Sequence, residues 1–416
     1  MTQARFRQPS QKIITSIDIG SSKVCCIIAR INGSDSTPTI LGLGHHGIQG
    51  VKQGFTPNMD ALENAILNAV HKAEKAANLT VKQAFLNISG NHLLSEIVKV
   101  TTDVQGHGVD DADIKRLMIE GTSINPSKNF SIVHANPIKF SLDNGQPVKN
   151  PKGMYGKTLT GYLHIVTAQL NTARTIVSCL RHCHIDVKGI VPSAIASGFS
   201  SLVDDEIDLG VILIDLGSHY TNVAVFMNGD VVHTESIPLG SASITSDLAH
   251  GLSTSWIAAE RIKILHGNAL ETSEDSRIMV DVPQMDDGQH ENLIQVRRSL
   301  ITAIIKPRAE EILELVKKRL EKSGVYKITS RRVVLTGGGS QLSGLKELTH
   351  HILNKQARLG KPLNLLNSKE NYRFPSFSTC TGLLTFALRQ NYSDKETDAP
   401  QKGWISPLFK WFKDNF

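Results

Sequence analysis

Two aspartates open the chemistry of this chain. Each closes an apolar run and is followed by x-Gly-Ser, as IDIGSSK from Ile17 to Lys23 and IDLGSHY from Ile214 to Tyr220. A tight Gly/Ser turn after a strand lets successive backbone N–H groups and hydroxyls approach a phosphate. Two carboxylates facing one another can hold a hydrated Mg²⁺ against that phosphate. The candidates are Gly20, Ser21, Ser22, Lys23, Gly217 and Ser218 at the phosphates, with Asp18 and Asp215 reaching the metal through water. A third stretch, RRVVLTGGGSQLSGLKEL, places Gly337, Gly338 and Gly339 where backbone can approach a planar base, with Gln341 beside them. A fourth, AAERIK, sets Glu260 and Lys263 three apart on one helix face, within reach of a ribose and a base edge. Taken singly, the aspartate turns are also ordinary strand ends and the Glu–Lys pair an ordinary helix ion pair. All four in this order point to a nucleotide site.

The elements that position these residues come from a repeat. IITSIDIGSSKVCCIIARINGS starts at Ile13, and GVILIDLGSHYTNVAVFMNGD starts at Gly210. Each is an apolar strand, the Asp-x-Gly-Ser turn, and a second apolar strand closing on the hairpin dipeptide Asn-Gly. Asp18 matches Asp215, Gly20 matches Gly217, and Asn32-Gly33 matches Asn228-Gly229 with one residue of slippage. The pattern predicts a duplicated α/β domain. Between the halves, Asp60 to Ala77 carries a helical apolar face at Leu62, Ile66, Ala69, Val70, Ala73 and Ala77. The glycines at 337–339 are expected to lead into a helix from about Leu342.

From Lys82 to Ala168 the texture changes to strands (AFLNISG, LLSEIVKVTT, FSIVHANPIKFSL, TGYLHIVTA), a helix after VDDAD and the loop NPKGMYGKTLTG. A small inserted α+β domain is expected there. From Ser241 to Gly324 helices dominate, interrupted by the acidic EDSRIMVDVPQMDDGQHEN. The organisation expected is a disordered 1–12; a first lobe from 13–81, 169–206 and the C-terminal helix of 373–390; the insertion 82–168; a second lobe from 207–240 and 326–372; and a helical subdomain 241–325. Residues 391–403 contain no Val, Ile, Leu or Phe and read as a flexible linker to a terminal helix, 404–416.

Composition sets limits. The 416 residues are 40% hydrophobic and 20% charged, which is ordinary for a globular protein. No apolar run approaches the roughly 18 residues of a membrane span, and nothing apolar follows the basic N-terminus as in a secretory signal. The net charge of +6 has no Lys/Arg block, so no nucleic-acid partner is expected, but it favours anionic lipid. Five cysteines fit no disulfide or zinc spacing, consistent with a reduced cytoplasm. Cys179 and Cys183, flanked by His182 and His184, read either as a metal cluster or as small buried thiols on a helix.

The glycine turns resemble the actin/Hsp70/sugar-kinase superfamily, with phosphate-1 at IDIGSSK, phosphate-2 at IDLGSHYTNVAVF and adenosine at VLTGGGSQLSGL. That resemblance implies an α/β, actin-like (ribonuclease H-like, duplicated) fold with ATP and Mg²⁺ in a cleft between two lobes. The insertion with NPKGMYG resembles the 1C (SHS2-like) domain of the bacterial cell-division family FtsA, and IIKPRAEEILELV and ERIKILHGNAL resemble its 2B domain. The likeness covers essentially the whole chain. It implies a protein that polymerises on the cytoplasmic face of the inner membrane at the septum, tethers the ring of the GTPase FtsZ and recruits later division proteins of the membrane. Self-association is implied through the 1C domain meeting the next subunit's 2A domain. The FtsZ C-terminal peptide is implied to bind at Arg308 and Glu311, with Arg297 and Arg298 adding charge from a nearby helix; alternatively, Arg308 and Glu311 simply pair with each other. A small-molecule kinase and a pilus-type scaffold are the other functions this superfamily offers.

One departure bears on turnover. The family usually continues its second Asp-x-Gly with further glycines and threonine, where this chain has Ser218, His219 and Tyr220, and Asn222 stands at a later acidic position. Side chains there restrict the backbone and crowd a γ-phosphate. The connector VPSAIASGFSSL has no Glu or Gln to orient water, so no catalytic residue is assigned and hydrolysis is expected to be weak at most.

The tail WISPLFKWFKDNF closes the chain. At about 100° per residue, Trp404, Ile405, Leu408, Phe409, Trp411, Phe412 and Phe416 fall within roughly 160° of a helical wheel, opposite Lys410, Lys413 and Asp414. Ser406 suits the N-cap and Pro407 the first helical position. The tail resembles the family's membrane-targeting helix; the alternative is a helix docked on its own domain. Aromatic rings would sit at headgroup depth while the lysines meet anionic lipid.

Overall fold

The computed structural model describes residues 12–31, 37–48, 58–90, 92–106, 108–123, 129–285, 293–329, 331–363 and 372–393. The lead-in, the Asn32-Gly33 turn, most of the linker and the aromatic tail lie outside the described residues.

The first half runs β1 (Lys12–Ile19), β2 (Lys23–Ile31), β3 (Thr39–Gly47), α1 (Met59–Ala77) and β4 (Gln83–Ile88). An excursion follows through β5 (Leu93–Asp103), α2 (Asp111–Ser123), β6 (Phe130–Leu142) and β7 (Thr158–Gln169). The chain returns by α3 (Leu170–His182) and β8 (Asp186–Pro192), then crosses through α4 (Ser193–Ser201) and α5 (Asp204–Leu209). The second half runs β9 (Val211–Leu216), β10 (Thr221–Met227), β11 (Asp230–Ile237), α6 (Ser241–Gly251), α7 (Trp256–His266), β12 (Met279–Pro283) and β13 (Leu293–Arg297). It ends with α8 (Arg298–Lys322), α9 (Val325–Ile328), β14 (Arg332–Thr336), α10 (Leu345–Leu353), β15 (Gln356–Leu359) and α11 (Ser378–Ser393).

The duplication is explicit in the sheets. One five-stranded sheet has the order β3-β2-β1-β4-β8, the other β11-β10-β9-β14-β15. In both, three antiparallel strands are followed by two parallel ones. Asn228 (φ 53°) and Gly229 (φ 89°) turn β10 into β11 with the two left-handed residues an Asn-Gly hairpin supplies. α1 covers the first sheet with the face read from its periodicity, since Leu62, Ile66, Ala69, Val70 and Ala73 are buried. The alternation of β9 serves two cores at once: Ile212, Ile214 and Leu216 enter the second-lobe core, while Val211 and Leu213 join the core containing α4 and α11.

Four features differ from the sequence expectation. AFLNISG was expected within the insertion, but β4 pairs with β1 and β8 in the first sheet. It is buried along nearly its whole length, as a central parallel strand must be, so the insertion begins only after it. The inserted sheet is β5-β7-β6, closed by α2 around Val100, Leu117, Leu159 and Leu163. The acidic stretch after Ser273 is not merely an interruption between helices: Met279–Pro283 and Leu293–Arg297 pair as an antiparallel hairpin. Val280, Val282 and Val296 bury from it, an alternation hidden by the acidic residues around it. The expected helix after the glycines begins at Leu345, preceded by a 3₁₀ turn over Gly338–Gln341. α11 continues to Ser393, past the expected end at 390.

All five cysteines are free and buried. Cys179 sits on α3 and Cys183 caps it, and burial pushes both thiols up to about 11. His182 instead pairs with Glu63 of α1 at 2.7 Å. Among the described residues, no group of three or more His, Cys, Asp or Glu is arranged to hold a metal ion, and no helix is long and apolar enough to cross a membrane.

Candidate nucleotide site

The two Asp-x-Gly-Ser turns face one another at the ends of equivalent strand pairs. Gly20 N donates to Lys23 O at 2.9 Å and Gly217 N donates to Tyr220 O at 2.9 Å, so the turns close identically. A Cβ on Gly217 would stand 2.8 Å from Tyr220 O, which makes glycine necessary there. His219 N donates to Ser21 Oγ at 3.2 Å, which ties the turns directly across the lobes. Between them opens a cleft of about 870 Å³, a volume suited to a small-molecule ligand.

Asp18, Gly20, Ser21, Ser22, Lys23, Asp215, Gly217, Ser218, Glu260, Lys263, Gly337, Gly338, Gly339 and Gln341 all line this cleft. It thus brings together every residue assigned to a nucleotide from the sequence. Gly337 takes φ 83°, and a Cβ there would meet Asp215 Oδ1 at 2.3 Å, so the third glycine stretch packs directly on the second aspartate.

The two aspartates are buried and differ in their surroundings. Burial, and then the nearby Asp215, push Asp18 up to about 7 against the opposing Lys23. Burial also raises Asp215, opposed by hydrogen bonds from Ser197 (2.6 Å) and Thr379 (3.1 Å) and by Lys23. Two desolvated carboxyls facing one cleft, with Lys23 acting on both, form a site that a divalent cation fits, since a cation favours the charged form of each. Lys23 Nζ donates to Ser376 O at 2.7 Å and lies 4.3 Å from the centre of the Phe377 ring.

At the nucleoside end, the expected roles of Glu260 and Lys263 divide. Lys263 Nζ donates to Glu260 Oε2 (2.7 Å), Thr245 Oγ1 (2.7 Å) and Ser241 O (3.2 Å). An ammonium has three donors and all are engaged, so Lys263 orients Glu260 rather than gripping a base itself. The hydrogen bonds that Glu260 accepts from Thr245 and Lys263 both fall on one oxygen, Oε2. Trp256 and Ile264, one helical turn to either side of Glu260, and Leu342 opposite add apolar walls that sequence reasoning missed.

Sequence reasoning also missed the cleft floor. Asn87 accepts from Ile19 N at 2.7 Å and donates to Ser193 Oγ at 2.9 Å, fixing the end of β1 against α4. The signal available was an Asn inside the apolar run AFLNI, a buried amide that needs partners. In the second turn, residues 218–220 hold no positive φ, so the expected backbone restriction produces no left-handed strain. Asn222 is buried and accepts from Ser236 Oγ at 2.5 Å.

The second constellation is on the helical subdomain. Arg308 on α8 makes a two-point contact with Asp247 of α6, at 2.6 and 3.1 Å, and also pairs with Glu311. Asp247 was not legible as a partner, lying 61 residues away. Arg297 ends β13 and Arg298 opens α8 itself, so neither is on a separate neighbouring helix as expected. Arg298 lies 2.8 Å from Asp275, whose side chain is fully buried, which gives that guanidinium a structural task.

Comparison with known proteins bears on the whole chain. Residues 212–382 match the family described as Cell division protein FtsA, and residues 90–167 match the SHS2 domain inserted in FtsA. Cell division protein FtsA of Agrobacterium fabrum is 36% identical over 423 residues, covering 97% of this chain and 95% of the relative. The Escherichia coli protein of that name is 26% identical over 423 residues, covering 99% of this chain and all of the relative. Among solved structures, a PilM–PilN type IV pilus biogenesis complex aligns with TM-score 0.64 at 15% identity, over 90% of this chain and 98% of that one. MreB5 of Spiroplasma citri bound to ADP aligns with TM-score 0.53 at 11% identity, over 93% and 99% of the two chains. The two lobes are therefore actin-like in fold, and the chain belongs to the FtsA family of cell division proteins.

Proposed function

We propose that this chain binds Mg·ATP between its lobes, assembles on the cytoplasmic face of the inner membrane and links the FtsZ ring to it, recruiting later division proteins of the membrane. The observation that carries this reading is the pair of facing Asp-x-Gly-Ser turns, tied by His219 N to Ser21 Oγ across a cleft that a third glycine turn closes. Bound Mg²⁺ neutralises the phosphates. The chain's part is to hold it through water on Asp18 and Asp215, to seat phosphate oxygens on the Gly20–Lys23 turn, and to offer Glu260 to the ribose.

Turnover is proposed to be weak. Among the described residues the carboxylates lining the cleft are Asp18, Asp215 and Glu260, and each is given a binding role here, which leaves none of them as a general base for water or for a kinase acceptor. FtsZ's peptide would compete for Arg308. Membrane attachment rests on the aromatic face of 404–416 and on the net positive charge. A single short helix binds weakly, and a filament presenting many gains avidity of roughly 10²–10⁴. Titration with fluorescent ATP in the presence of Mg²⁺ tests the reading: saturable binding is expected, and its absence overturns the site.

A further inference from the structure

Asp215 is held from behind by two helices that belong to neither of its flanking strands. Alternation along β9 directs Asp215 to the same side as Val211 and Leu213, toward α4 and α11 rather than the second-lobe core. There Ser197 Oγ of α4 donates to Asp215 Oδ2 at 2.6 Å, and Thr379 Oγ1 of α11 donates to the same oxygen at 3.1 Å. The two hydroxyls are themselves 2.9 Å apart.

This arrangement is specific. A serine inside a helix ordinarily bonds back to a carbonyl of its own preceding turn, as Ser123 of α2 does with Ile119 O at 2.7 Å. Ser197 is fully buried and gives its hydrogen to a carboxylate on another element. It does not line the cleft, whereas Thr379 does. With Oδ2 taken by both hydroxyls and Oδ1 packed at the Gly337 turn, the carboxylate has one orientation. The helices supplying the hydroxyls are pressed together one turn away: a Cβ on Gly382 would stand 1.7 Å from Ala196 O. α11 also presents Ser376 O, just before its first turn, to Lys23.

We propose that Ser197 and Thr379 are positioning residues for the divalent cation, holding Asp215 toward it through a clamp that exists only while α4 and α11 are docked. The metal side of the site is then built by both lobes, because α11 packs on the first sheet and Asp215 belongs to the second. This inference rests on the Mg·ATP reading above. It adds that affinity for the metal, and not for the base, depends on the seating of α11.

The test separates the metal from the nucleotide. Full-length Thr379→Val keeps the volume and removes the hydroxyl; it is expected to bind fluorescent Mg·ATP about tenfold more weakly, the range of a hydrogen bond to a charged group. Its affinity for the same nucleotide in EDTA should equal that of wild type. Thr379→Ser restores the donor and should recover Mg·ATP affinity to within about twofold. Ser197→Ala, should the valine protein fold poorly, is expected to show the same selective loss. A Thr379→Val protein that binds Mg·ATP like wild type, or weakens equally with and without Mg²⁺, overturns the clamp. Absence of nucleotide binding by wild type overturns the reading beneath it.

Discussion

Replacing His134 with phenylalanine should make this protein more resistant to mild acid. His134 of β6 and His164 of β7 are buried where the insertion meets the lobes, their rings 6.1 Å apart, with Phe386 of α11 6.2 Å from His134. His164 Nε2 lies 2.8 Å from Ser95 Oγ, which in turn accepts from Thr234 N of β11 at 3.1 Å. His134 Nε2 and His164 Nδ1 are buried without a hydrogen-bond partner. Burial lowers His134 to about 4; burial and then His134 and His233 lower His164 to about 3. His233 stands 3.6 Å from Glu235, which Arg319 approaches at 3.2 Å.

The direction follows from proton counting. Below the ordinary histidine value of about 6.5 the unfolded chain takes up protons that the folded chain refuses, so stability present above 6.5 is lost as pH falls. The slope is about 1.4 kcal/mol per pH unit for each histidine, so His134 alone forfeits about 2 kcal/mol by pH 5. Against a stability of about 5–15 kcal/mol that is a large share. Asp18 works the other way in the same window, because a carboxyl raised to about 7 gains relative stability on protonation. The wild-type slope is therefore a partial cancellation, and the difference between proteins is what reports on His134. Urea unfolding of wild type and His134→Phe should diverge by about 1.4 kcal/mol per unit between about pH 6.5 and pH 5, the variant gaining as pH falls. Amide exchange should locate the wild-type loosening in β5, β7 and β11. Parallel curves across that window would refute a neutral buried His134.

Two further outcomes bear on partners. Asp247→Asn removes the charge that engages Arg308 and should tighten binding of the FtsZ C-terminal peptide several-fold in fluorescence anisotropy, while Arg308→Glu should abolish it; unchanged affinity in both proteins would remove Arg308 from the contact. Trp411→Glu should leave ATP titrations unchanged and prevent cosedimentation with anionic liposomes, so a variant that still pellets like wild type would mean the tail is not the anchor.

What the sequence made legible was whatever repeats or alternates locally. The doubled strand–turn–strand unit announced two equivalent sheets, and four short motifs announced one cleft, because together and in that order they are more than ordinary strand ends. β4 was assigned to the wrong domain because a continuous apolar strand carries no mark of which sheet it joins. The β12–β13 hairpin was missed because its three buried valines are interleaved with aspartate, arginine and glutamine.

The contacts that set the chemistry of the cleft were invisible for a different reason. Ser197 to Asp215, Thr379 to Asp215 and Lys23 to Ser376 join residues 18, 164 and 353 positions apart, and nothing periodic connects them. A duplicated fold makes such contacts unavoidable. Each half supplies an equivalent aspartate turn, yet among the described residues a single crossover helix, α4, and a single returning helix, α11, pack at Asp215, so the two aspartates have unequal surroundings. Asp215 has two hydroxyl donors, while among the described residues Asp18 has none and is raised by burial to about 7. Symmetry in the sequence thus predicts the strands and turns, and the asymmetric helices between them decide which aspartate carries hydroxyl donors.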